Sequence, residues 1–187
     1  MSFVGAGRVG QSLARLLRLR GYQIGALVRR TAAGAREAVR FVGGGQAATD
    51  AVEAGSADIV FLTVPDGSIR DVCQELGTRH IWRPEQTVAH CSGALSLDVL
   101  QAAAEKGAAV LCLHPMQSIA APARGVSSLV GSYYGLEGCE RGLAVGKRLV
   151  AELEGHALFL AAGEKAATDY LQAIRGNGQA GGCPFLL

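Results

Sequence analysis

The sequence predicts an α/β protein with a doubly wound, mostly parallel sheet and helices on both faces of that sheet. Short apolar runs alternate with longer amphipathic segments along most of the chain, as strand–helix units do. Residues 57–64, ADIVFLTV, are apolar on both faces, as a parallel strand covered by helices requires. A glycine-rich turn separates the first apolar run from the first amphipathic segment. Together these features are typical of parallel strands joined by crossover helices.

The first half of the chain is predicted to contain two helices and three strands. The first helix is amphipathic, with Val9, Leu13, Leu16 and Leu17 on one face, whereas the second is weaker. Residues 43–49, GGGQAAT, form a flexible connection with room for a short strand. The predicted helices are residues 9–21 and 33–41, and the predicted strands are residues 2–6, 22–28 and 57–64.

The second half of the chain continues the alternation. Asp66 or Ser68 is expected to cap its first helix, and Gly107 is placed to end the second. The predicted helices are residues 68–76, 96–107 and 140–155, and the predicted strands are residues 86–92, 108–114, 131–138 and 156–161.

Composition indicates a globular protein, with 49% apolar and 18% charged residues. A formal net charge of +2 gives no concentrated basic surface for nucleic acid. No apolar run approaches the roughly 20 residues of a membrane span, and the N-terminus lacks a signal-peptide pattern, so a soluble, cytoplasmic protein is expected. The five cysteines form no C-x-x-C pair, and no cluster has metal-ligand spacing, so reduced thiols and no metal site are expected.

The turn after the first strand, GAGRVG at residues 5–10, matches the pattern G-x-G-x-x-G. Between a strand and a helix, Gly5 permits a tight turn, Gly7 lets a pyrophosphate approach the backbone, and Gly10 allows close helix–strand packing. The start of the helix offers free N–H groups and a positive dipole end to the phosphates. The pattern predicts a dinucleotide site, and the alternative is a purely structural turn. Ala6, Arg8 and Val9 complete the predicted cofactor-binding turn.

Two arginines and a threonine follow the second strand, where NAD-binding units place an acid for the ribose 2′-hydroxyl. Arg29, Arg30 and Thr31 occupy this place, and the first carboxylate after them is Glu37. A guanidinium binds a 2′-phosphate, which a carboxylate would repel. The expected cofactor is therefore NADP(H). The alternative is that both arginines are simply solvated at the end of the strand.

Three later loops fall at the carboxyl ends of predicted strands, where ligands of open α/β sheets bind. They are residues 63–68, 90–96 and 114–118. The first loop contributes candidate cofactor contacts. These candidates are Val64, Pro65 and Asp66.

The candidate catalytic residues are His114, Ser92 and Lys165. His114 is the acid–base candidate because imidazole titrates near neutrality, and its alternative is a histidine that bonds backbone to shape a turn. Ser92 is a candidate ligand of the nicotinamide or the substrate, with a turn cap as the alternative. Lys165 is a candidate to polarise a substrate carbonyl, with a solvated helix lysine as the alternative. His90, inside a strand, is predicted to be structural.

The motifs GAGRVG, ADIVFLTVPDGSI, HCSGALS, LHPMQS and YYGLEG, spread over residues 3–165, resemble one protein family. It is the Rossmann-like NADP oxidoreductase family with a C-terminal domain of unknown function, within the 6-phosphogluconate dehydrogenase-like and deazaflavin-dependent NADP oxidoreductase-like group. The resemblance implies a Rossmann-type fold, a nicotinamide cofactor, and a helical C-terminal region that commonly forms a dimer. It does not identify a substrate, although a small-molecule substrate and a possible homodimer are expected.

The chain departs from this family near its C-terminus. The family's second domain opens with Lys-x-x-Tyr-His, whereas here Lys165 is followed by Ala-Ala-Thr-Asp. We therefore expect a NADP-binding domain over residues 1–162 and, over residues 163–187, the start of a truncated helical domain or an irregular tail. This truncation would weaken a homodimer.

Three hypotheses for function follow. The first is an NADP(H)-dependent oxidoreductase that acts on a small carbonyl or imine compound. The second is a non-catalytic dinucleotide-binding module that senses redox state, and the third is a truncated, inactive remnant.

Overall fold

A computed structural model describes residues 1–160 of the chain, and it contains one eight-stranded sheet. The strands are β1 (Ser2–Val4), β2 (Ala26–Val28), β3 (Gln46–Ala48), β4 (Ile59–Leu62), β5 (Thr87–His90), β6 (Ala109–Pro115), β7 (Tyr133–Gly138) and β8 (His156–Phe159). The helices are α1 (Arg8–Leu19), α2 (Ala32–Val42), α3 (Asp66–Thr78), α4 (Gln101–Ala104), α5 (Pro122–Leu129) and α6 (Glu140–Glu152). Two 3₁₀ segments, Ala51–Ser56 and Leu97–Leu100, complete the described structure.

The strand order is β3-β2-β1-β4-β5-β6-β7-β8, and every neighbouring pair is parallel except β6 with β7. The predicted α/β class and mostly parallel sheet are therefore confirmed. The chain proceeds from β1 towards β3 in one direction and then returns to β4 on the other side of β1. This reversal leaves a crevice at the carboxyl ends of β1 and β4, where ligands of such sheets bind.

Apolar side chains cover both faces of the sheet, so the core has two layers. On one face, α1, α2, α5 and α6 pack over a cluster in which the rings of Phe3 and Phe61 stack with centroids 4.9 Å apart. On the other face, α3, α4 and the two 3₁₀ segments pack over Val60, Leu62 and Val88. Because both faces are buried, the strands are apolar without alternation, as ADIVFLTV indicated.

Two predictions for individual elements are wrong, and one helix was not predicted. The single helix expected over residues 96–107 is a 3₁₀ segment followed by the one-turn α4, and Gly107, at φ +82°, lies three residues beyond that helix. Neither Asp66 nor Ser68 caps α3, because Pro65 occupies the N-cap position and no side chain makes the capping hydrogen bond. Helix α5 was not predicted, although it begins with Pro122, a residue that suits the first helical turn.

The described part of the chain contains no helix long and apolar enough to cross a membrane. The predicted domain boundary between residues 162 and 163 lies outside the described residues, as does Lys165.

Candidate dinucleotide site

The turn after β1 is shaped by two glycines that have no room for a side chain. Gly5 adopts φ +86°, and a Cβ atom there would lie 2.6 Å from the backbone nitrogen of Val64. A Cβ atom on Gly10 would lie 2.5 Å from Oγ1 of Thr63. Distances below 3.0 Å do not occur for real Cβ atoms, so both positions require glycine unless their neighbours move. Gly5 thus allows the turn to approach the backbone of Val64, which lies just before α3. Gly10 allows α1 to pack against Thr63 at the end of β4.

Gly7 differs from these two glycines, because its side-chain position faces open space. The nearest atom to a Cβ atom built on Gly7 is the carbonyl oxygen of Gly5, at 3.7 Å. Helix α1 begins immediately afterwards, and no side chain of the described residues caps its first turn, which also contains no acidic residue. An uncapped helix start beside an open glycine backbone is suited to bind an anion, since the N–H groups and the helix dipole both favour negative charge.

Hydrogen bonds hold the turn rigidly in this conformation. The amides of Gly5 and Ala6 both donate to the carbonyl oxygen of Val28, at 3.1 and 2.9 Å. Oγ1 of Thr63 donates to the carbonyl oxygen of Gly5 at 2.9 Å. The Ala6 carbonyl oxygen accepts from Nε2 of Gln11 at 3.0 Å, and the Ala6 side chain is fully buried. The Ala6 side chain therefore contributes to packing. Val9, which is half-buried, packs on the core below α1.

The three residues after β2 occupy different positions around this turn. Arg29 is half-buried, and its Nη1 donates to the Ala6 carbonyl oxygen at 2.6 Å. Arg30 is exposed at the carboxyl edge of the sheet. Thr31 is the N-cap of α2, where its Oγ1 accepts from the amide of Gly34 at 3.2 Å. The Arg29 guanidinium thus stabilises the glycine turn, and the Arg30 guanidinium is exposed to solvent.

The loop after β4 contacts the glycine turn and leads into α3. Val64 packs against Gly5, Pro65 is exposed, and Asp66 is the first residue of α3. The Asp66 carboxylate accepts a hydrogen bond from Oγ of Ser92 at 2.7 Å, which ties the start of α3 to the loop after β5. A carboxylate in the first turn of a helix also interacts favourably with the helix dipole.

Ser92 is buried, and all of its hydroxyl's hydrogen-bonding capacity is used within the protein. Its Oγ donates to Asp66 and accepts from the amides of Ala94 and Leu95 at 3.1 and 3.2 Å. A hydroxyl has one donor and two acceptor positions, so this pattern is complete. Ser92 therefore acts as a turn cap, and it could contact a ligand only by exchanging one of these partners.

His114 is half-buried near the end of β6 and packs against the loop after β5. Its Nδ1 lies 3.0 Å from the carbonyl oxygen of Cys91, an acceptor that requires the proton on Nδ1. A Cβ atom on Gly93 would lie 2.6 Å from Nε2, so the imidazole ring lies against the glycine backbone. With Nδ1 held as a donor, Nε2 is the atom through which the ring can take or give a proton.

Two cysteines lie beside this histidine, and the thiol of Cys91 is not an activated nucleophile. Cys112 is fully buried, and Cys91 is half-buried. Burial, reinforced by the nearby Cys112, raises the pKa of the Cys91 thiol well above its ordinary value. A thiol that stays protonated is a poor nucleophile and a poor metal ligand. Within residues 1–160, no group of three or more His, Cys, Asp or Glu side chains is arranged to hold a metal ion.

The loop after β6 and helix α5 enclose the start of α1 from another side. Nη1 of Arg8 lies 3.5 Å from the carbonyl oxygen of Ala120, and Oγ of Ser12 donates to the carbonyl oxygen of Pro122 at 3.0 Å. A Cβ atom on Gly125 would lie within 2.8 Å of the Ser12 Cβ, so α1 and α5 are in close contact. This wall was not predicted from the sequence, because α5 was not predicted.

Within residues 1–160, the structure thus brings the predicted residues to one edge of the sheet through a series of contacts. Thr63 links the glycine turn to β4, the Asp66–Ser92 hydrogen bond links α3 to β5, and the His114–Cys91 hydrogen bond links β5 to β6. Thr63 and Gln11 were not predicted as contributors; Thr63 lay in a recognised loop, whereas nothing in the sequence marked Gln11. A concavity of about 400 Å³ lined by Tyr22, Asp58 and Arg148, among others, lies near the opposite, amino-terminal ends of β1 and β4.

Comparisons with known proteins agree with this architecture. The Rossmann-like domain model matches residues 1–115. No curated protein matches the chain. Among solved structures, protein TM1727 from Thermotoga maritima is 26% identical with a TM-score of 0.68, and the match covers 92% of this chain and 61% of that one.

Two solved oxidoreductases are similar in fold at lower identity. A prephenate dehydrogenase from Aquifex aeolicus, in complex with hydroxyphenyl propionate and NAD+, is 20% identical with a TM-score of 0.68, covering 86% of this chain and 59% of that one. An imine reductase from Pseudomonas sp. is 20% identical with a TM-score of 0.70, and the match covers 95% of this chain and 60% of that one. The chain thus spans about three fifths of the length of each of these structures.

The family model covers more than half of the chain, including the glycine turn, the reversal of strand order and the strands β1 to β6. The chain therefore belongs to the Rossmann-like domain family.

Proposed function

We propose that the protein is an NADP(H)-dependent oxidoreductase of the 6-phosphogluconate dehydrogenase-like and deazaflavin-dependent NADP oxidoreductase-like group. Its reaction would be hydride transfer to or from a small carbonyl or imine compound. The observation that carries this proposal is the contrast within the glycine turn, where Gly5 and Gly10 have no room for a Cβ atom while Gly7 faces open space at the uncapped start of α1. The fold likeness to a prephenate dehydrogenase and an imine reductase supports the reaction class.

The arginines after β2 support NADP(H) over NAD(H). Arg30 is exposed at the carboxyl edge, and Arg29 uses one of its five N–H groups on the Ala6 carbonyl oxygen. Both guanidinium groups therefore have donors for the 2′-phosphate, and no carboxylate precedes Glu37 to repel it. The A. aeolicus enzyme was solved with NAD+, so cofactor choice is a property that this chain would not share with it.

His114 is the proposed acid–base residue. When bound, the reduced nicotinamide supplies a hydride to the carbon of a C=O or C=N group. The oxygen or nitrogen of that group then needs a proton, and in this proposal Nε2 of His114 provides it while Nδ1 stays bonded to the Cys91 carbonyl oxygen. In the reverse direction, Nε2 takes the proton. Ser92 and Asp66 would hold the surrounding loops in place without themselves exchanging protons.

Titration with NADPH and NADH in parallel tests the cofactor assignment. NADPH should bind more tightly, and Arg30→Ala should weaken NADPH binding roughly tenfold, or about 1.4 kcal/mol, with little effect on NADH. Arg36→Ala, which removes another exposed arginine on α2, is the matched control. Tighter binding of NADH than of NADPH by the unmodified protein would refute the NADP(H) assignment.

Oxidation of NADPH in the presence of keto acids and cyclic or acyclic imines tests catalysis. His114→Asn retains a donor near the Cys91 carbonyl oxygen but cannot exchange a proton, so turnover should fall roughly 100-fold while NADPH binding is kept. His80→Asn, at an exposed position, is the control. Equal turnover of His114→Asn and the unmodified protein would remove His114 from the mechanism. NADPH binding without turnover of any compound would instead indicate a non-catalytic module.

A further inference from the structure

The carbonyl oxygen of Ala6, inside the glycine turn, is held by two side chains from different parts of the chain. Nη1 of Arg29 donates to this oxygen at 2.6 Å, and Nε2 of Gln11 donates to it at 3.0 Å. A carbonyl oxygen has two lone pairs, so these two donors saturate it. The hydride transfer proposed above does not use either contact.

Arg29 is fixed in this position through both its backbone and its side chain. Its amide donates to the carbonyl oxygen of Ala48, at the end of β3, at 3.0 Å. Its guanidinium lies beside the first turn of α2, where a Cβ atom on Gly34 would lie 3.5 Å from Nε and 3.6 Å from Nη2. These are ordinary contact distances. The half-buried side chain therefore packs between α2 and the glycine turn, and it connects the turn to the neighbouring strands.

Gln11 approaches the same oxygen from within α1. Its backbone amide donates to the carbonyl oxygen of Gly7 at 2.9 Å, so it lies one helical turn beyond the start of the helix. The residue is buried, with an exposed fraction of 7%. A buried side-chain amide needs hydrogen-bond partners, and Nε2 finds one in the Ala6 carbonyl oxygen. This hydrogen bond ties the first turn of α1 to the glycine turn that precedes it.

The two donors determine the orientation of the peptide unit between Ala6 and Gly7. This peptide bond is trans, so its C=O and N–H groups point in opposite directions, and a fixed Ala6 carbonyl group also fixes the Gly7 amide. That amide donates to the carbonyl oxygen of Gly5 at 2.5 Å. Glycine has few steric restrictions on its backbone, so without the two donors this unit could rotate more easily. Its rotation would change the path of the backbone into α1, whose first N–H groups are the proposed diphosphate ligands.

We propose that Arg29 and Gln11 are positioning residues that hold the Ala6–Gly7 peptide unit in the orientation that receives the diphosphate of the cofactor. Both residues therefore contribute to the affinity for NADPH and for NADH, because the two nucleotides share the diphosphate. Arg30, which is exposed, acts on the 2′-phosphate alone. The role towards a ligand rests on the proposed function, whereas the restraint on the turn is a property of the folded chain without any ligand.

Titration of Arg29→Met with NADH and with NADPH tests the proposal, because methionine keeps a long apolar side chain and removes the donors. The Kd for NADH should rise roughly tenfold, or about 1.4 kcal/mol. The Kd for NADPH should rise at least as much, since Arg29 also has donors for the 2′-phosphate. Arg30→Met removes the same charge from the next residue and should weaken the binding of NADPH only. Arg36→Met, at an exposed position on α2, is the control and should change neither Kd. An unchanged Kd for NADH in Arg29→Met would overturn the proposal.

Two further variants separate the hydrogen bonds from charge and packing. Arg29→Lys retains a donor for the Ala6 carbonyl oxygen, so it should recover most of the NADH affinity that Arg29→Met loses; no recovery would overturn the proposal. Gln11→Met removes the other donor without changing the net charge, so the Kd values for NADH and NADPH should rise by the same factor, roughly threefold or more. Gln11→Met decides the question if Arg29→Met does not fold, and unchanged affinity for both nucleotides in that variant would refute the proposal.

Amide hydrogen exchange of the ¹⁵N-labelled protein without nucleotide tests the restraint on the turn independently of the proposed function. The amides of Gly5 and Ala6, which both donate to the Val28 carbonyl oxygen, should exchange roughly tenfold faster in Arg29→Met than in the unmodified protein or in Arg30→Met. Equal exchange rates in all three proteins would overturn the positioning role. If the rates differ as expected but the unmodified protein binds neither NADPH nor NADH, the proposed function fails while the restraint on the turn stands.

Discussion

Alanine at Gly7 separates a ligand-binding role of the glycine turn from a structural one. Gly7 has φ −84° and ψ −150°, an extended conformation that alanine adopts, and the nearest atom to its Cβ would be 3.7 Å away. Gly7→Ala should therefore change the free energy of unfolding by no more than about 0.5 kcal/mol. The new methyl group would nevertheless occupy the space through which a diphosphate approaches the backbone. We expect the Kd for NADPH to rise at least roughly tenfold, or about 1.4 kcal/mol.

Alanine at Gly10 is the contrasting perturbation. Its Cβ would lie 2.5 Å from Oγ1 of Thr63, whereas ordinary contact begins at 3.4 Å, so the overlap is 0.9 Å. Overpacking of this kind costs about 1–3 kcal/mol of stability. Thr63→Ala removes the clashing oxygen but also its hydrogen bond to the Gly5 carbonyl oxygen, at a cost of about 1 kcal/mol. The double variant should therefore be more stable than the sum of the two single effects predicts.

Urea unfolding and fluorescence titration with NADPH measure the two quantities separately. We expect Gly7→Ala to bind NADPH more weakly with an unchanged urea unfolding midpoint. We expect Gly10→Ala to lower the unfolding midpoint. A Gly7→Ala variant that is as stable as the unmodified protein and binds NADPH equally well would show that the turn does not hold the diphosphate. The arginines would then have to be explained without a cofactor.

Three further predictions concern other parts of the structure. In Gly93→Ala, the new Cβ would lie only 2.6 Å from Nε2 of His114 and would displace the imidazole ring. Turnover should therefore fall roughly tenfold or more while NADPH binding is kept. An unchanged kcat would refute the proposed acid–base role of the His114 ring. Burial raises the pKa of Cys73 from 9.0 to about 11, so the folded state retains a proton that the unfolded chain loses. Stability should therefore decrease between pH 9 and 11, and urea midpoints of Cys73→Ala should fall less steeply over that range if the cause is correct. Alkylation at pH 8 should label the exposed Cys139 well before Cys91, because burial keeps the Cys91 thiol protonated. Mass spectrometry of the labelled peptides measures the order of labelling, and earlier labelling of Cys91 would contradict the prediction.

Much of the fold was predictable because the relevant signals are local. Short strands that are apolar on both faces, helices with one apolar stripe and glycines between them follow from the periodicity of the backbone and from the sterics of tight turns. The elements that were missed or misjudged are those with weak local signals. Helix α5 has eight residues, and α4 is a single turn that follows a 3₁₀ segment, so neither offers enough sequence for a clear helical period.

The sequence by itself determined the glycine spacing, the absence of an acid after β2 and the placement of the three loops at strand ends, since each depends on residues close together in the chain. Only the tertiary structure decided how these parts interact. It turned Arg29 back onto the Ala6 carbonyl oxygen and used the Ser92 hydroxyl fully within the protein. It also brought the side-chain amide of Gln11 to the Ala6 carbonyl oxygen. Such partnerships depend on strand register and on packing between distant segments, which no local pattern of residues specifies.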